Sequence, residues 1–457
     1  MKVNVNPAIF KAYDIRGIYP QDLSGEGVFL IGRVFVKFLG ETRIKKSGKL
    51  KIAVGRDNRL SGPILSRNLI RGITNMGADV VDLGLVTTPM LYFAVARYRY
   101  DGGIIITASH NPKEYNGLKM VRENAGPISA ARGIKEIQHL TELPLQSNGL
   151  KGAVFSHKGM VLKDYVAFNL KNINKSDFKG LKIVVDTANA VSGIIIPEIF
   201  KALPCRITHL FKKSDGRYPN RSPDPSLLEN LKALRAAVLV KKADLGVAFD
   251  GDGDRIIFVD EKGEVVSGNF IAALMADLIL KRQPGEKIFY DVRSSNIIKE
   301  IIESRGGKPI VGRIGHSFIK ERMRKEQILF ASELSGHYYH KDHYFCDAPF
   351  FVLFTILKEL KGKTFSQLVK PYQKYHHSGE INLEIKDKES AINKLKSRYS
   401  NGKILTIDGL RVDYDDWWFL ARPSNTEPVL RLVIEAKTKD LLDKKKEELS
   451  ALLNLEK

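Results

Sequence analysis

The chain has 457 residues, room for roughly three or four domains at about 100 to 200 residues each, which excludes a single small binding module. Hydrophobic residues make up 43% and charged residues 27%, the balance of folded domains rather than of disordered or fibrous chains. Lys and Arg outnumber Asp and Glu by 73 to 52, a formal charge of +21 that favours anionic partners, while two cysteines, Cys205 and Cys346, exclude a disulfide framework and any C-x-x-C pair.

The opening, MKVNVNPAIFKAYDIRG, lacks the charged and then apolar run of a signal peptide, and no run of about 20 uncharged apolar residues follows. A cytoplasmic protein with no membrane span is expected. KIAVGRDNR (51–59) then reads as a strand and a polar turn, followed by a helix at PILSRNLIRGI (63–73) and a second strand at ADVVDLG. The unit recurs at KIVVDTANA (182–190) and at KIFYDVRSS (287–295), the latter followed by helix SNIIKEIIES (295–304) and strand KPIVG. Spacings above one hundred residues are too long for a solenoid and suit three α/β domains. Pro, Gly and polar residues mark linkers at 143–152 and 370–380. Beyond the second, INLEI, KILTI, WWFLA and VLRLVIEA read as strands and Thr438–Leu453 as a helix, a small α+β domain. The expected boundaries are 1–150, 151–258, 259–371 and 372–457.

Four loops carry chemistry. GGIIIT reads as a strand buried on both faces and delivers Ser109, a candidate nucleophile or phosphate carrier, beside His110, Asn111 and Pro112. The flanking Thr107 and Asn111 exclude a G-x-S-x-G hydrolase elbow, and turn formation alone would also explain a Ser-His pair before Asn-Pro. Lys119 nearby can stabilise an anion or move a proton. Between two strand-like runs, Asp250, Asp252 and Asp254 alternate with Gly251 and Gly253. Three repelling carboxylates on a tight loop favour a bound hard cation. Arg255 at the sixth position, where an EF-hand requires Gly, argues against calcium sensing, while a phosphatase with Asp250 as nucleophile stays open. Glu333, Ser335 and His337 suit sugar hydroxyls. Arg422, Ser424, Asn425 and Thr426 supply a fork and small donors suited to a phosphate dianion.

In this order TASHNP, DGDGDR, ELSGH and RPSNTEP, with FKAYDIRG near the start, resemble the α-D-phosphohexomutase family and its bacterial and archaeal phosphomannomutase/phosphoglucomutase branch over essentially the full length. The resemblance implies three similar α/β domains with mixed sheets plus a C-terminal α+β domain around a central cleft. It implies a phosphoserine at Ser109 and magnesium held by Asp250, Asp252, Asp254 and the phosphate on Ser109. Glu333 and Ser335 would hold sugar hydroxyls, and Arg422, Ser424, Asn425 and Thr426 the phosphate not being transferred. Tyr13 and Arg16 match positions near the reacting group, His110, Lys119 and His337 positions that stabilise it or move protons, and His316 a residue that closes over substrate. Arg293 stands where some members place Lys in a substrate-contacting turn, Ser332 where many place Gly, and Ala348 where Gly is usual.

The implied activity is reversible transfer of a phosphoryl group between positions 1 and 6 of mannose and glucose phosphates through a hexose 1,6-bisphosphate. Alternatives are a phosphoglucosamine mutase, which typically reads S-G-T where this chain has Ser424-Asn425-Thr426, and the Asp-nucleophile phosphatase. The positive balance alone would suggest nucleic-acid binding, but basic and acidic residues are interspersed and no zinc-finger or RNP motif is present, so the expected partner is a hexose phosphate, with no nucleic acid, in a monomer or homodimer.

Overall fold

The computed structural model describes residues 5–43, 48–147, 149–423 and 429–454. They divide into two units: Met1–Val266, Gly315–Leu329 and Ser335–Ser366 in the first, and Ser267–Ile314, Phe330–Leu334 and Gln367–Lys457 in the second.

The first unit opens with β1 (Ile15–Ile18), α1 (Gly25–Thr42), β2 (Lys51–Arg56), α2 (Gly62–Asn75), β3 (Asp79–Leu85), α3 (Thr88–Arg97), β4 (Gly102–Ile106), β5 (Tyr115–Arg122), α4 (Ile134–Glu142) and β6 (Val154–Ser156). The sheet order is β1-β5-β4-β2-β3-β6. β2 runs parallel to β3 and β4, whereas β5 is antiparallel to β4 and β1. Every residue of β4 is buried, as an uninterrupted Gly-Gly-Ile-Ile-Ile run requires of a strand covered on both faces. Side-chain caps start the helices: Ser24 accepts from the Gly27 amide at α1 and Thr87 from the Met90 amide at α3.

The second layer follows with α5 (Met160–Leu170), β7 (Lys182–Asp186), α6 (Ile196–Phe200), β8 (Arg206–Leu210), α7 (Lys232–Lys241), β9 (Leu245–Phe249), β10 (Ile256–Asp260) and β11 (Val265–Val266). Its order is β11-β10-β9-β7-β8, with β7 parallel to β8 and β9, and β10 antiparallel to β9. In the second unit α8 (Gly268–Arg282), β12 (Lys287–Asp291), α9 (Asn296–Ser304), β13 (Lys308–Gly312) and β14 (Phe330–Ser332) repeat the theme, β12 lying parallel to both β13 and β14. The first unit also contains α10 (His316–Glu326), the antiparallel pair β15 (Tyr338–His340) and β16 (Cys346–Asp347), and α11 (Pro349–Glu359).

The remainder of the second unit is an antiparallel sheet of β17 (His376–Glu384), β18 (Lys403–Leu405), β19 (Leu410–Asp413), β20 (Trp417–Pro423) and β21 (Val429–Ala436), ordered β17-β21-β20-β19-β18, with helices Lys388–Arg398 and Lys439–Asn454. Leu395, Leu430, Leu432 and Leu449 share its core. The three α/β layers with mixed sheets and the closing α+β segment agree with the sequence expectation. One expected linker does not hold throughout: His376–Glu380 of 370–380 is strand, because β17 finds its ladder partner in β21 and absorbs its irregular sequence in a bulge between His377 and Glu380. Among the described residues no helix is long and apolar enough to cross a membrane.

Candidate active site

Ser109 lies three residues beyond β4 at φ 53°, a left-handed backbone that a non-glycine residue adopts only when its surroundings enforce it. Its surroundings do. The Ser109 amide donates to Thr107 Oγ1 (2.9 Å), the Thr107 hydroxyl to Asp57 Oδ2 (2.7 Å), and the fully buried Arg59 pairs with the same carboxylate. Arg59 also donates to the carbonyls of Ser109, Asn111, Pro112 and Tyr115. One guanidinium thus fixes the whole turn and satisfies carbonyls that burial would otherwise leave unpaired.

The Ser109 hydroxyl donates to Asp250 Oδ2 at 2.7 Å, and His110 Nδ1 stands 3.4 Å from Ser109 Oγ. Burial, reinforced by Arg255, Arg16 and Lys119, pushes His110 well below its usual pKa, so the ring is neutral near pH 7. Arg16 reaches the turn through Asn111 Oδ1 (2.6 Å) and is itself held by Asp14 (2.8 Å).

Asp250, Asp252 and Asp254 are all buried, with one ligand oxygen from each lying within 4.8 Å of the others. Two glycines make this loop possible. A Cβ on Gly251 would meet the Ser109 carbonyl oxygen at 2.2 Å, so the acidic loop closes onto the serine loop only without a side chain there, and Gly253 sits at φ 73° where a Cβ would meet Ser192 Oγ at 2.4 Å. Lys119 Nζ bridges Asp252 (2.7 Å) and Asp254 (2.6 Å), and Thr88 Oγ1 donates to Asp252 Oδ2 (2.5 Å). Burial opposes the charge on Lys119, but the two carboxylates outweigh it and hold the ammonium protonated. Burial, with repulsion from Asp252 and Asp254, raises Asp250 well above the usual carboxylate range. Asp252 Oδ1 and Asp254 Oδ1 are buried with no hydrogen-bond partner among the described residues. An oxygen-only donor set with two such atoms and a net negative charge fits a hard divalent cation.

His337 stands at the edge of this group. Its Nδ1 is 3.1 Å from Asp347 Oδ1 and 3.7 Å from Asp254 Oδ1, and its Nε2 accepts from Arg255 Nε at 3.1 Å. These partners favour the tautomer with its proton on Nδ1. Lys320 Nζ is 2.6 Å from Asp347 Oδ2; burial would raise Asp347, but Lys320 and His337 bring it down to about 2. His316 opens α10, with its ring 5.9 Å from that of Tyr13 and its Nε2 buried without a hydrogen-bond partner among the described residues. Burial, then Lys320 and Lys119, lowers its pKa well below the ordinary value. Ser335 is half-buried.

The first unit therefore brings together Ser109, His110, Lys119, Arg16, the three aspartates and His337, with Tyr13 against His316. Arg293, Glu333 and Arg422 belong to the second unit. There Arg293 donates to Asp291 (2.9 Å) and Glu380 (2.9 Å) and lies 4.0 Å from Glu333, while Arg422, a residue of β20 rather than of the following loop, reaches Glu380 at 3.1 Å. Ser424, Asn425 and Thr426 lie outside the described residues. Ser332 and Ala348, which stand where glycine is expected, are accommodated differently. Ser332 is buried at the end of β14 with its Oγ unpartnered among the described residues, and Ala348 adopts φ −131°, which makes no demand for glycine.

Sequence reasoning missed Arg59, Thr88, Arg221, Lys320 and Asp347, and treated Arg255 only as an obstacle to an EF-hand. The available signal lay in the repeats. Each begins with a strand ending at or beside a fully buried aspartate, Asp57, Asp186 or Asp291, and each aspartate pairs with a buried arginine, Arg59, Arg221 or Arg293. Each pair tethers the segment after the neighbouring parallel strand: Arg59 the Ser109 turn, Arg221 the Phe249 carbonyl (2.9 Å) before the acidic loop, and Asp291 the Leu334 amide (2.9 Å).

Four family models match the chain: phosphoglucomutase/phosphomannomutase alpha/beta/alpha domain I at residues 7–145, domain II at 162–263, domain III at 267–375, and the C-terminal domain at 380–452. An Escherichia coli phosphomannomutase is 38% identical over 97% of this chain and 98% of its own length. A phosphomannomutase/phosphoglucomutase of Pseudomonas syringae is 39% identical over 95% of this chain and 93% of its own. The solved structure of a phosphoglucomutase/phosphomannomutase family protein from Burkholderia thailandensis aligns with a TM-score of 0.90 at 33% identity, covering 99% of this chain and 98% of that one.

Proposed function

The chain belongs to the phosphoglucomutase/phosphomannomutase family of phosphohexose mutases, and from that premise we propose that it moves a phosphoryl group reversibly between positions 1 and 6 of mannose and glucose phosphates. The observation that carries this reading is the Ser109 hydroxyl, 2.7 Å from Asp250 on a turn locked by Arg59, facing an acidic group bridged by Lys119. Phosphorylated Ser109 donates to a sugar hydroxyl: the bond from phosphorus to Ser109 Oγ breaks, a bond to the sugar oxygen forms, and the hydroxyl proton passes to His337 Nε2, the ring nitrogen without a proton, in exchange for its contact with Arg255. Asp347 stabilises the resulting imidazolium. The hexose 1,6-bisphosphate turns end for end and returns its other phosphoryl group to Ser109.

Asp250, Asp252 and Asp254, with a phosphate oxygen on Ser109, would hold magnesium, whose chemistry is to neutralise charge on the transferring oxygens. Lys119 and Arg16 add fixed positive charge, and neutral His110 can donate to the phosphoryl group without competing for its proton. In the second unit Glu333 serves sugar hydroxyls and Arg422 the phosphate that is not transferred. The preference for both sugars follows the double name of the Pseudomonas syringae relative.

The test combines an assay of isomer formation with intact-protein mass spectrometry and peptide mapping of the active enzyme. Isomer formation with phosphate on Ser109 supports the proposal; phosphate on Asp250 with free phosphate as product overturns it in favour of a phosphatase. Comparing kcat/KM for mannose 1-phosphate, glucose 1-phosphate and glucosamine 1-phosphate checks the sugar, and a glucosamine value above both others would overturn that part.

A further inference from the structure

A cleft of about 740 Å³ opens in the first unit between the segment that follows β5 and the last turns of α10. That volume is of the size that takes a small phosphorylated ligand. Arg122, Arg132, Lys135, Arg324 and Lys325 line it, against only two carboxylates, Glu136 and Glu321. None of the groups assigned to phosphoryl transfer lines it.

The cations are not a random surface scatter. Asn124 and Ala125, at φ 56° and 55°, form a left-handed turn of two consecutive non-glycine residues, a conformation that costs about 1–2 kcal/mol per residue. The turn presents the carbonyls of Asn124 (3.2 Å) and Ala125 (2.9 Å) to Arg324 Nη2, which also reaches the Tyr344 carbonyl (2.5 Å). This guanidinium is therefore fixed in the cleft wall. Arg122, at the end of β5, is half-buried over the ring of Phe38 (4.7 Å) and donates to the Arg132 carbonyl (3.0 Å). Burial lowers its pKa, Glu123 and Glu136 oppose that effect, and the charge of Arg132 adds to it. Glu321 is engaged by Arg132 at 2.7 Å, while Lys135 and Lys325 have no ion-pair partner among the described residues. The cleft thus holds a surplus of positive charge on two facing walls, one from the β5–α4 connection and one from α10. A ligand with two phosphate groups offers these cations more negative charge than a single phosphate does, and so gains most from the surplus.

We propose that this cleft is a second anion site, separate from the catalytic group, that binds a small molecule carrying at least two phosphate groups between Arg122 and Arg132 on one side and Arg324 and Lys325 on the other. Calorimetric titration of the full chain with inorganic pyrophosphate, in saturating hexose 6-phosphate to fill the catalytic site, reads it directly. One saturable site should remain. It should weaken at least tenfold in an Arg122→Gln/Lys325→Gln variant that keeps wild-type mutase turnover, and orthophosphate should bind at least tenfold more weakly than pyrophosphate. Absence of the residual site, unchanged affinity in the folded and active variant, or equally tight orthophosphate would each overturn the proposal. The outcome is independent of whether phosphate is later found on Ser109, so its failure and that of the mutase reading are distinguishable.

Discussion

The Ser109 turn and the Glu333 turn follow corresponding strands of two repeats, β4 beside β2 and β14 beside β12, yet they are tethered by opposite halves of the same aspartate–arginine pair. At Ser109 the arginine does the holding: Arg59 donates to four carbonyls and has no exposed surface with which to meet a ligand. At Glu333 the aspartate does it, by accepting from the Leu334 amide, and Arg293 is left to pair with Glu380 and approach Glu333. A phosphoryl carrier needs its reacting oxygen fixed to a fraction of an ångström. A loop proposed to meet a sugar in either orientation has no such reacting oxygen to fix. The same buried pair can serve as scaffold in one repeat and as part of the binding surface in another.

The largest effect should come from removing chemistry while leaving the scaffold untouched. Ser109→Ala keeps every backbone tether of the turn and loses only the hydroxyl bond to Asp250, so circular dichroism and melting should be nearly unchanged while isomer formation falls by on the order of 10³-fold or more, the scale of losing a covalent nucleophile. Substantial residual activity would separate the rigid turn from the reaction altogether. Next comes the acidic loop that closes on it. Chelation should abolish turnover and added magnesium restore it, and Asp252→Asn should cost about 10²-fold or more in kcat, since several kcal/mol of charge stabilisation are involved. Full activity after exhaustive chelation would refute this.

Arg59→Lys and Arg293→Lys test the comparison itself. An ammonium has three donors and no planar fork, so it cannot serve four carbonyls and Asp57 together. Arg59→Lys should lower kcat by about 10- to 100-fold and stability by about 2–4 kcal/mol, as expected when a buried paired group loses partners. Arg293→Lys should alter KM more than kcat, because Asp291 still holds Leu334. Equal kcat losses in the two variants would mean that both arginines are mere scaffold.

Why the first of these arginines escaped the sequence is a matter of distance along the chain. Buried strands such as GGIII are legible because both-face burial demands an unbroken apolar run, and the candidate metal site is legible because three carboxylates in five residues need an explanation wherever they fold. Arg59 has neither signature: it lies fifty residues before the turn it holds, and only the adjacency of β2 and β4 brings them together. Asp347 and Lys320 became recognisable as supports of His337 only once β16 and α10 were packed against it. The stretch 370–380 looked like a linker because an edge strand with a bulge carries no clean alternation; its partner β21 supplies the order that the local sequence lacks.

The smallest effect, and the one that sharpens the comparison most, lies at Glu380. Its carboxylate receives Arg293 at 2.9 Å and Arg422 at 3.1 Å, so in the second unit one acid occupies both the arginine near Glu333 and the arginine proposed to hold the phosphate that is not transferred. Burial would raise the pKa of Glu380, but Arg293 and Arg422 outweigh burial and lower it. The sign of the pH dependence follows. A carboxyl depressed on folding contributes stability above its unfolded pKa, and that contribution is lost as pH falls through the unfolded value toward the folded one. Wild-type protein should therefore lose melting temperature on acidification below about pH 4.5 partly through this group, and Glu380→Gln should lose less over the same interval. At neutral pH the variant should be about 1 kcal/mol less stable, the scale of a half-buried ion pair. Glutamine keeps an acceptor oxygen but no charge, so Arg422 becomes more available to a phosphate dianion. KM for hexose phosphate should fall about two- to five-fold, within the few tenths to one kcal/mol that a partly exposed charge commands, while kcat stays within about twofold because no group at Ser109 is touched. A loss of kcat as large as that of Arg59→Lys would show that the second unit's arginines are as rigidly scaffolded as the first unit's, and would remove the contrast between the two turns.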